Sequence, residues 1–371
     1  MKGPCMGAAR HGITVGSTAA VATAPWVLCL LVLSRPHVAL VFLLTSLVLM
    51  LGGLALVRVI SPKLRVDSWV LLSFPAGVVQ SCFVTSVAVR GGIGLRAAAV
   101  VLLFLGVVGI CVVIKHRAVL LVFSRSVVRT GPAVVAFLMS FTICVFYFAP
   151  SVAWDGTLRP DGSYRWLYID CQWFMATTTS IIRGGAPPDM PGLAGAPVWY
   201  HYGRLALAAT IERVSSCDVA ESLFGVVGGV GRMSLALAAL ALGRALGASR
   251  RGRLASGLFG VFGLFFVGWV TWPLTAQGKT FSMVNLPRKI QEILALPPEH
   301  WEPFQHVLHS HSLLWGAIGL VLVLTLLIES AASERAHRSW FALPLVPALI
   351  VPVNGIAALG AAGVTWAEVA Y

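Results

Sequence analysis

The sequence predicts an all-α integral membrane protein of about nine transmembrane helices, with an outer loop of the kind that holds short surface helices. Three observations predict it. Hydrophobic residues make up 58% of the 371 positions and charged residues 11%, and the mean hydropathy is +0.86, so the chain has more apolar surface than one soluble core hides. Apolar runs long enough to cross a hydrocarbon core of about 30 Å, which takes roughly 20 helical residues, recur along nearly the whole length. These runs are continuous rather than alternating, and backbone groups in lipid must pair internally, which favours helices over a barrel.

Hydropathy places the spans near 17–34, 38–57, 68–89, 95–114, 132–149, 220–242, 254–272, 312–328 and 340–362. The first stretch has a basic start and an apolar run without a small-residue cleavage site, and reads as a retained span rather than a removed signal. The net charge of +13 lies in short loops between spans, which is the positive-inside pattern and not a nucleic-acid surface. Lys2 and Arg10, then Arg58, Lys63 and Arg65, then Lys115, Arg117, Arg125 and Arg129, then Arg244 and Arg250 to Arg253, then Arg335 and Arg338 fall on one side. That side is the expected cytoplasm, with the N-terminus inside and the chain in a cell inner membrane. Arg90 and Arg96, in one short turn, fall on the other side and are the exception.

On this topology the chain divides into a bundle of about five spans over 1–149, an extracytoplasmic loop over 150–219, and further spans over 220–371 with a second outer loop at 273–311. The two outer segments hold nearly all the chemistry. Asp170 closes "YRWLYID" and opens a helix through "CQWFMATTTSII" that ends at Gly184 and Gly185. A carboxylate at a helix start is favoured by free N–H groups and the helix dipole, so capping and proton transfer are both open to Asp170. The stretch "APPDMPGLAGAP" alternates prolines with glycines and is expected to be an ordered excursion. It leads to "VWYHYGR", where Tyr200, His201, Tyr202 and Arg204 suit either an interfacial aromatic belt or the wall of a substrate site. The following "RLALAATIERV" is too short to cross and mixes apolar with charged positions, which predicts a helix lying along the membrane surface. Ser216 or Asp218 then caps the next span.

In the second outer segment Lys279, Arg288, Lys289 and His306 can meet a phosphate or lipid headgroups. His306 and His309 share a helix face at i, i+3, but His311 does not, and no acid or cysteine stands at helical spacing beside them, so no metal or other cofactor is expected. Cys29, Cys82, Cys111 and Cys144 read as small packing residues, and Cys171 with Cys217 could bridge only if both face an oxidising compartment. No nucleotide-binding glycine loop, hydrolase elbow or zinc-protease motif occurs, and spans nearly free of charge argue against an ion-driven transporter.

Taken in order, the outer Asp170, the helix ending "RGG", "PPDMPGLAGAPVWYHYG", the helix "RLALAATIERV", a span, the inward "GRALGASRRGR" and another span resemble the polytopic glycosyltransferases of the GT-C fold. The likeness is to bacterial members with an aromatic-rich "P..P..AG.P..Y.Y" outer loop and covers roughly residues 150–275, with "WEPFQHVLHSH" as weaker support. The resemblance implies a polyprenyl-phosphate-linked sugar as donor, an extracytoplasmic acceptor, membrane lipids as surroundings, and Asp170 as catalytic base. It further implies that Tyr200, His201, Tyr202, Arg204, Lys279, Arg288, Lys289 and His306 bind substrate. The alternative is a non-catalytic membrane protein that binds, flips or scaffolds lipid-linked envelope glycans.

Overall fold

Three apolar helices fold back on one another early in the chain: α1 (Pro36–Ile60), α2 (Val66–Arg90) and α3 (Leu95–Lys115). The computed structural model describes residues 23–24, 26–28, 30–31, 36–61, 64, 66–115, 169–184, 189–190, 193–197, 202–247 and 311–331. After the first hairpins come α4 (Ile169–Ile182), a two-stranded antiparallel ribbon of β1 (Asp189–Met190) and β2 (Leu193–Pro197), and α5 (Gly203–Val214). The long α6 (Glu221–Ala245) follows, π-helical over Glu221–Val227, and α7 (His311–Ala331) is the last described element.

Four of these helices are long and apolar enough to cross a membrane: Pro36–Ile60, Leu71–Arg90, Leu95–Lys115 and Glu221–Ala245. Trp315–Glu329 is apolar but shorter. The expected spans near 132–149, 254–272 and 340–362 lie outside the described residues, as does nearly all of the second outer segment, and the one near 17–34 is described only in part. Helix α3 shows how such a helix divides its faces. Ala98, Ala99, Leu102, Gly106 and Gly109 are buried at i, i+3, i+4 spacing, while Val100, Leu103, Phe104, Val107, Ile110 and Ile114 are exposed. An apolar stripe of that length turned outward is the surface that lipid solvates.

Helix α2 is the centre, packed against α1, α3, α5, α6 and α7. Its buried hydroxyls are satisfied at home: Ser81 Oγ donates to the Gly77 carbonyl at 2.7 Å and Thr85 Oγ1 to the Ser81 carbonyl at 2.8 Å. Helices α1 and α2 meet at Gly53 and Gly77, where a Cβ on either would overlap backbone atoms of the other helix. Small residues at such a crossing let two backbones approach, which is how helices associate in lipid. Helix α2 ends in a Schellman motif, with Gly92 at φ +66°, Ile93 N–H donating to Ala88 O at 2.8 Å and Gly92 N–H to Val89 O at 3.3 Å.

The turn after α2, the start of α1 and the start of α6 share one end of the bundle, because His37 Nε2 lies 3.1 Å from both carboxylate oxygens of Glu221. Arg58, Lys115 and Arg244, near the C-termini of α1, α3 and α6, occupy the other end. There Arg58 stacks on Trp69, and Ser68 Oγ donates to Glu329 at 2.6 Å. The wide turns of the π segment receive a tryptophan: Trp26 Nε1 donates to the Gly225 carbonyl at 2.9 Å, in space kept open by Gly229.

The described residues are mostly helical, as expected, with one short ribbon in which Asp189–Met190 pairs with Leu193–Pro197. One expectation changes. Helix α5 does not lie along a surface, because every residue from Gly203 to Ile211 is buried. Its small side chains Ala206, Ala208 and Ala209 let α2, α3 and α4 close around it, so packing overrides the charges at its ends.

Candidate functional site

The site begins with the pair α4 and α5, which pack on each other and on the central helix. Helix α4 starts at Ile169, places Asp170 second, and closes at Gly184, whose φ of +94° and N–H to Ile181 O at 3.1 Å make the left-handed stop that glycine permits. Thr177 and Thr178 return their hydroxyls to the carbonyls one turn back, which frees both helix faces for packing.

Helix α5 is pinned at its N-terminus by three contacts. Tyr202 precedes it, buried, with its hydroxyl accepting from Arg90 Nε at 3.0 Å and its ring 5.7 Å below the same guanidinium. Thr85 Oγ1 reaches the Gly203 carbonyl at 3.4 Å. Arg204 is only 5% exposed, and its guanidinium lies 4.0 Å from the centroid of the Phe174 ring. The same charge is near enough to interact electrostatically with the buried Cys82 thiol, two turns into α2 from Arg90. Helix α5 therefore carries a cation into the bundle. A guanidinium there meets little water, so any anion that reaches it is held more strongly than at a surface.

Asp170 stands one helical turn before Phe174, and Phe174 is the ring under Arg204. The predicted base and one predicted substrate cation thus come from helices in direct contact. Tyr202 is the residue before α5 and Arg204 stands in its first turn, with the Tyr202 hydroxyl engaged by Arg90. Tyr200, His201, Lys279, Arg288, Lys289 and His306 lie outside the described residues.

Sequence reasoning passed over Arg232, which is buried about midway along the apolar α6. A single charge in "GGVGRMSLALAALAL" vanishes in a hydropathy average, yet an ionisable side chain inside a spanning helix is itself a functional signal. Arg90 was also missed, since its role appears only when Tyr202 is folded beneath it.

A second cluster joins α1 to α6. Asp218 Oδ1 accepts from Glu221 N–H at 2.8 Å and Glu221 Oε2 accepts from Asp218 N–H at 3.0 Å, a capping box that realises the expected cap. Ligand atoms of His37, Cys217 and Glu221 lie within 4.8 Å of one another. Burial, opposed by a hydrogen bond from Ser215 and reinforced by the charges of Glu221 and Asp218, pushes the Cys217 thiol up to about 11, so it stays a protonated, free thiol at neutral pH. The capping box and the His37 contact already account for the Glu221 carboxylate, and the cluster carries no metal assignment.

Compared with known proteins, the chain matches no family model, no curated protein and no solved structure.

Proposed function

We propose that the protein is a membrane glycosyltransferase that moves a sugar from a polyprenyl phosphate to an extracytoplasmic acceptor, with Asp170 as base. One observation carries the reading: α4 and α5 bring Asp170 to within one helical turn of the ring on which the buried Arg204 guanidinium rests. The reaction needs that juxtaposition. As the acceptor oxygen bonds to the anomeric carbon its proton passes to the carboxylate, and the bond from that carbon to the phosphate oxygen breaks with its electron pair leaving on the polyprenyl phosphate. The departing charge calls for a fixed cation, which Arg204 supplies in a dry setting and which Lys279, Arg288, Lys289 and His306 are placed by sequence to extend. A donor whose lipid tail stays in the bilayer suits groups held inside a helix bundle rather than on an exposed loop.

In this reading the end of the bundle bearing His37, the α2–α3 turn and Glu221 faces away from the cytoplasm. Arg58, Lys115 and Arg244 at the opposite end support it by charge. The test is turnover of a polyprenyl-phosphate sugar by the full chain reconstituted in liposomes. Asp170→Asn should lower it by about 10²–10⁴-fold. Unchanged turnover would remove the catalytic assignment. Binding of the donor that survives Asp170→Asn but falls with Arg204→Gln, in a protein without turnover, would put the non-catalytic glycan-binding reading in its place.

A further inference from the structure

At the far end of α4 from Asp170, roughly 20 Å away along the helix, a second feature has no part in that chemistry. A cavity of about 340 Å³ lies between the α2–α3 turn, the end of α4 and the end of α5. Arg96, Arg183 and Arg213 line it, one from each of these places, and among the described residues no acidic side chain does. None of the three guanidinium groups has a hydrogen-bond or ion-pair partner among the described residues. The three side chains are exposed, so solvent and salt screen much of the repulsion between their like charges. An anion in the space reverses its sign.

We infer that this cavity binds a phosphate group. The guanidinium fork matches phosphate oxygens in pairs, which a single ammonium cannot do. The backbone adds to it: Ala97 and Ala98 N–H both turn to the Gly94 carbonyl, so the N–H groups of Leu95 and Arg96 at the start of α3 have no helical acceptor and sit at the positive end of the helix dipole. A Cβ at Gly92, Gly94 or Gly184 would meet nothing within 4 Å, so the glycine backbone is open to a ligand. Val89, Ile181 and Ile182 complete the wall with apolar surface. The volume lies in the range of small-molecule sites, of order 300–1,000 Å³, and leaves room for the ester carbons of a lipid headgroup. The phosphate therefore belongs either to a bilayer phospholipid or to a soluble anion.

The test uses the purified full chain in detergent with two probes, dioctanoyl phosphatidic acid and inorganic phosphate, and dioctanoylglycerol, which lacks the phosphate, as the reference, read by native mass spectrometry and thermophoresis. Saturable binding of a phosphate probe is expected, weakened about tenfold or more by Arg183→Gln or Arg213→Gln and lost in the Arg96→Gln, Arg183→Gln, Arg213→Gln triple variant. Binding of phosphatidic acid alone identifies a headgroup site; competition by inorganic phosphate identifies a soluble anion. A triple variant with unchanged circular dichroism that binds as well as the parent overturns the inference, as does a parent that binds neither probe better than dioctanoylglycerol. The readout is binding, so the inference stands or falls apart from any turnover at Asp170.

Discussion

Gly77→Ala tests the crossing that sets the whole scaffold. A Cβ added at Gly77 would overlap the Leu49 carbonyl oxygen, and one at Gly53 would overlap the Ser73 carbonyl oxygen and the Gly77 amide nitrogen. The neighbours are backbone atoms, so no rotamer change relieves the overlap and α1 must move away from α2. A gap of only about 0.5–1 Å forfeits a quarter to a half of each dispersion contact across it. Overpacking usually costs about 1–3 kcal/mol, and with a rigid partner Gly77→Ala belongs at the upper end, about 3 kcal/mol. Gly106→Ala is the matched control on α3. Its Cβ would meet Val48 Cγ1 at 3.6 Å and Val48 Cα at 3.8 Å, which is ordinary contact. Removing a helix-interior glycine there should stabilise by about 0.5–1 kcal/mol. Unfolding of both variants in mixed micelles, followed by circular dichroism, should therefore show opposite signs. A Gly77→Ala protein within about 0.5 kcal/mol of the parent would refute the close approach, since that is the ordinary scatter of harmless substitutions.

Asp218→Ala removes the acceptor for Glu221 N–H at 2.8 Å and should cost about 0.5–2 kcal/mol, seen as faster amide hydrogen exchange confined to the start of α6. Tyr202→Phe keeps the buried ring but deletes the acceptor for Arg90 Nε at 3.0 Å, a loss of about 1 kcal/mol, whereas Tyr202→Ala should cost several times that; equal losses would mean that the ring carries no packing. Cys217 should resist maleimide near pH 7.5 in the native protein and react on unfolding, as peptide mass spectrometry will show. Its folded value of about 11 lies above the 9.0 of the unfolded chain, so the stabilisation is complete below 9.0 and is lost as pH rises towards 11.

The apolar helices were legible because length and apolarity are local properties. Expected segments at 38–57, 68–89, 95–114, 220–242 and 312–328 correspond to helices Pro36–Ile60, Val66–Arg90, Leu95–Lys115, Glu221–Ala245 and His311–Ala331. The helix after Asp170, its glycine stop and the cap at Asp218 were equally local, each a matter of a few adjacent residues. Burial of α5 was not. Arg204, Glu212 and Arg213 give it the pattern of a surface helix, and only the small residues between them and three neighbours far away in sequence put it inside. The arginine cavity was hidden for the same reason. Its walls come from positions near 96, 183 and 213, and each arginine alone reads as a headgroup contact.

Arg90 and Arg96 show what this changes in the charge argument. As sequence they are cations on the wrong side, a local failure of the bias that orients membrane proteins. Folded, each has a specific place: Arg90 donates to the Tyr202 hydroxyl, and Arg96 lines the cavity with Arg183 and Arg213. Both remain positive charges, since the Tyr202 hydroxyl offers Arg90 a hydrogen bond and not a counter-charge. Setting these two aside leaves Arg58, Lys115 and Arg244 together at the opposite end. The proposed orientation keeps Arg90, Arg96, Arg183 and Arg213 at the outer end, so it rests on the loop charges of the whole sequence. It also places the cavity and the end of α4 that holds Arg183 at the same membrane face, where a phosphate headgroup would approach the three arginines from the interface.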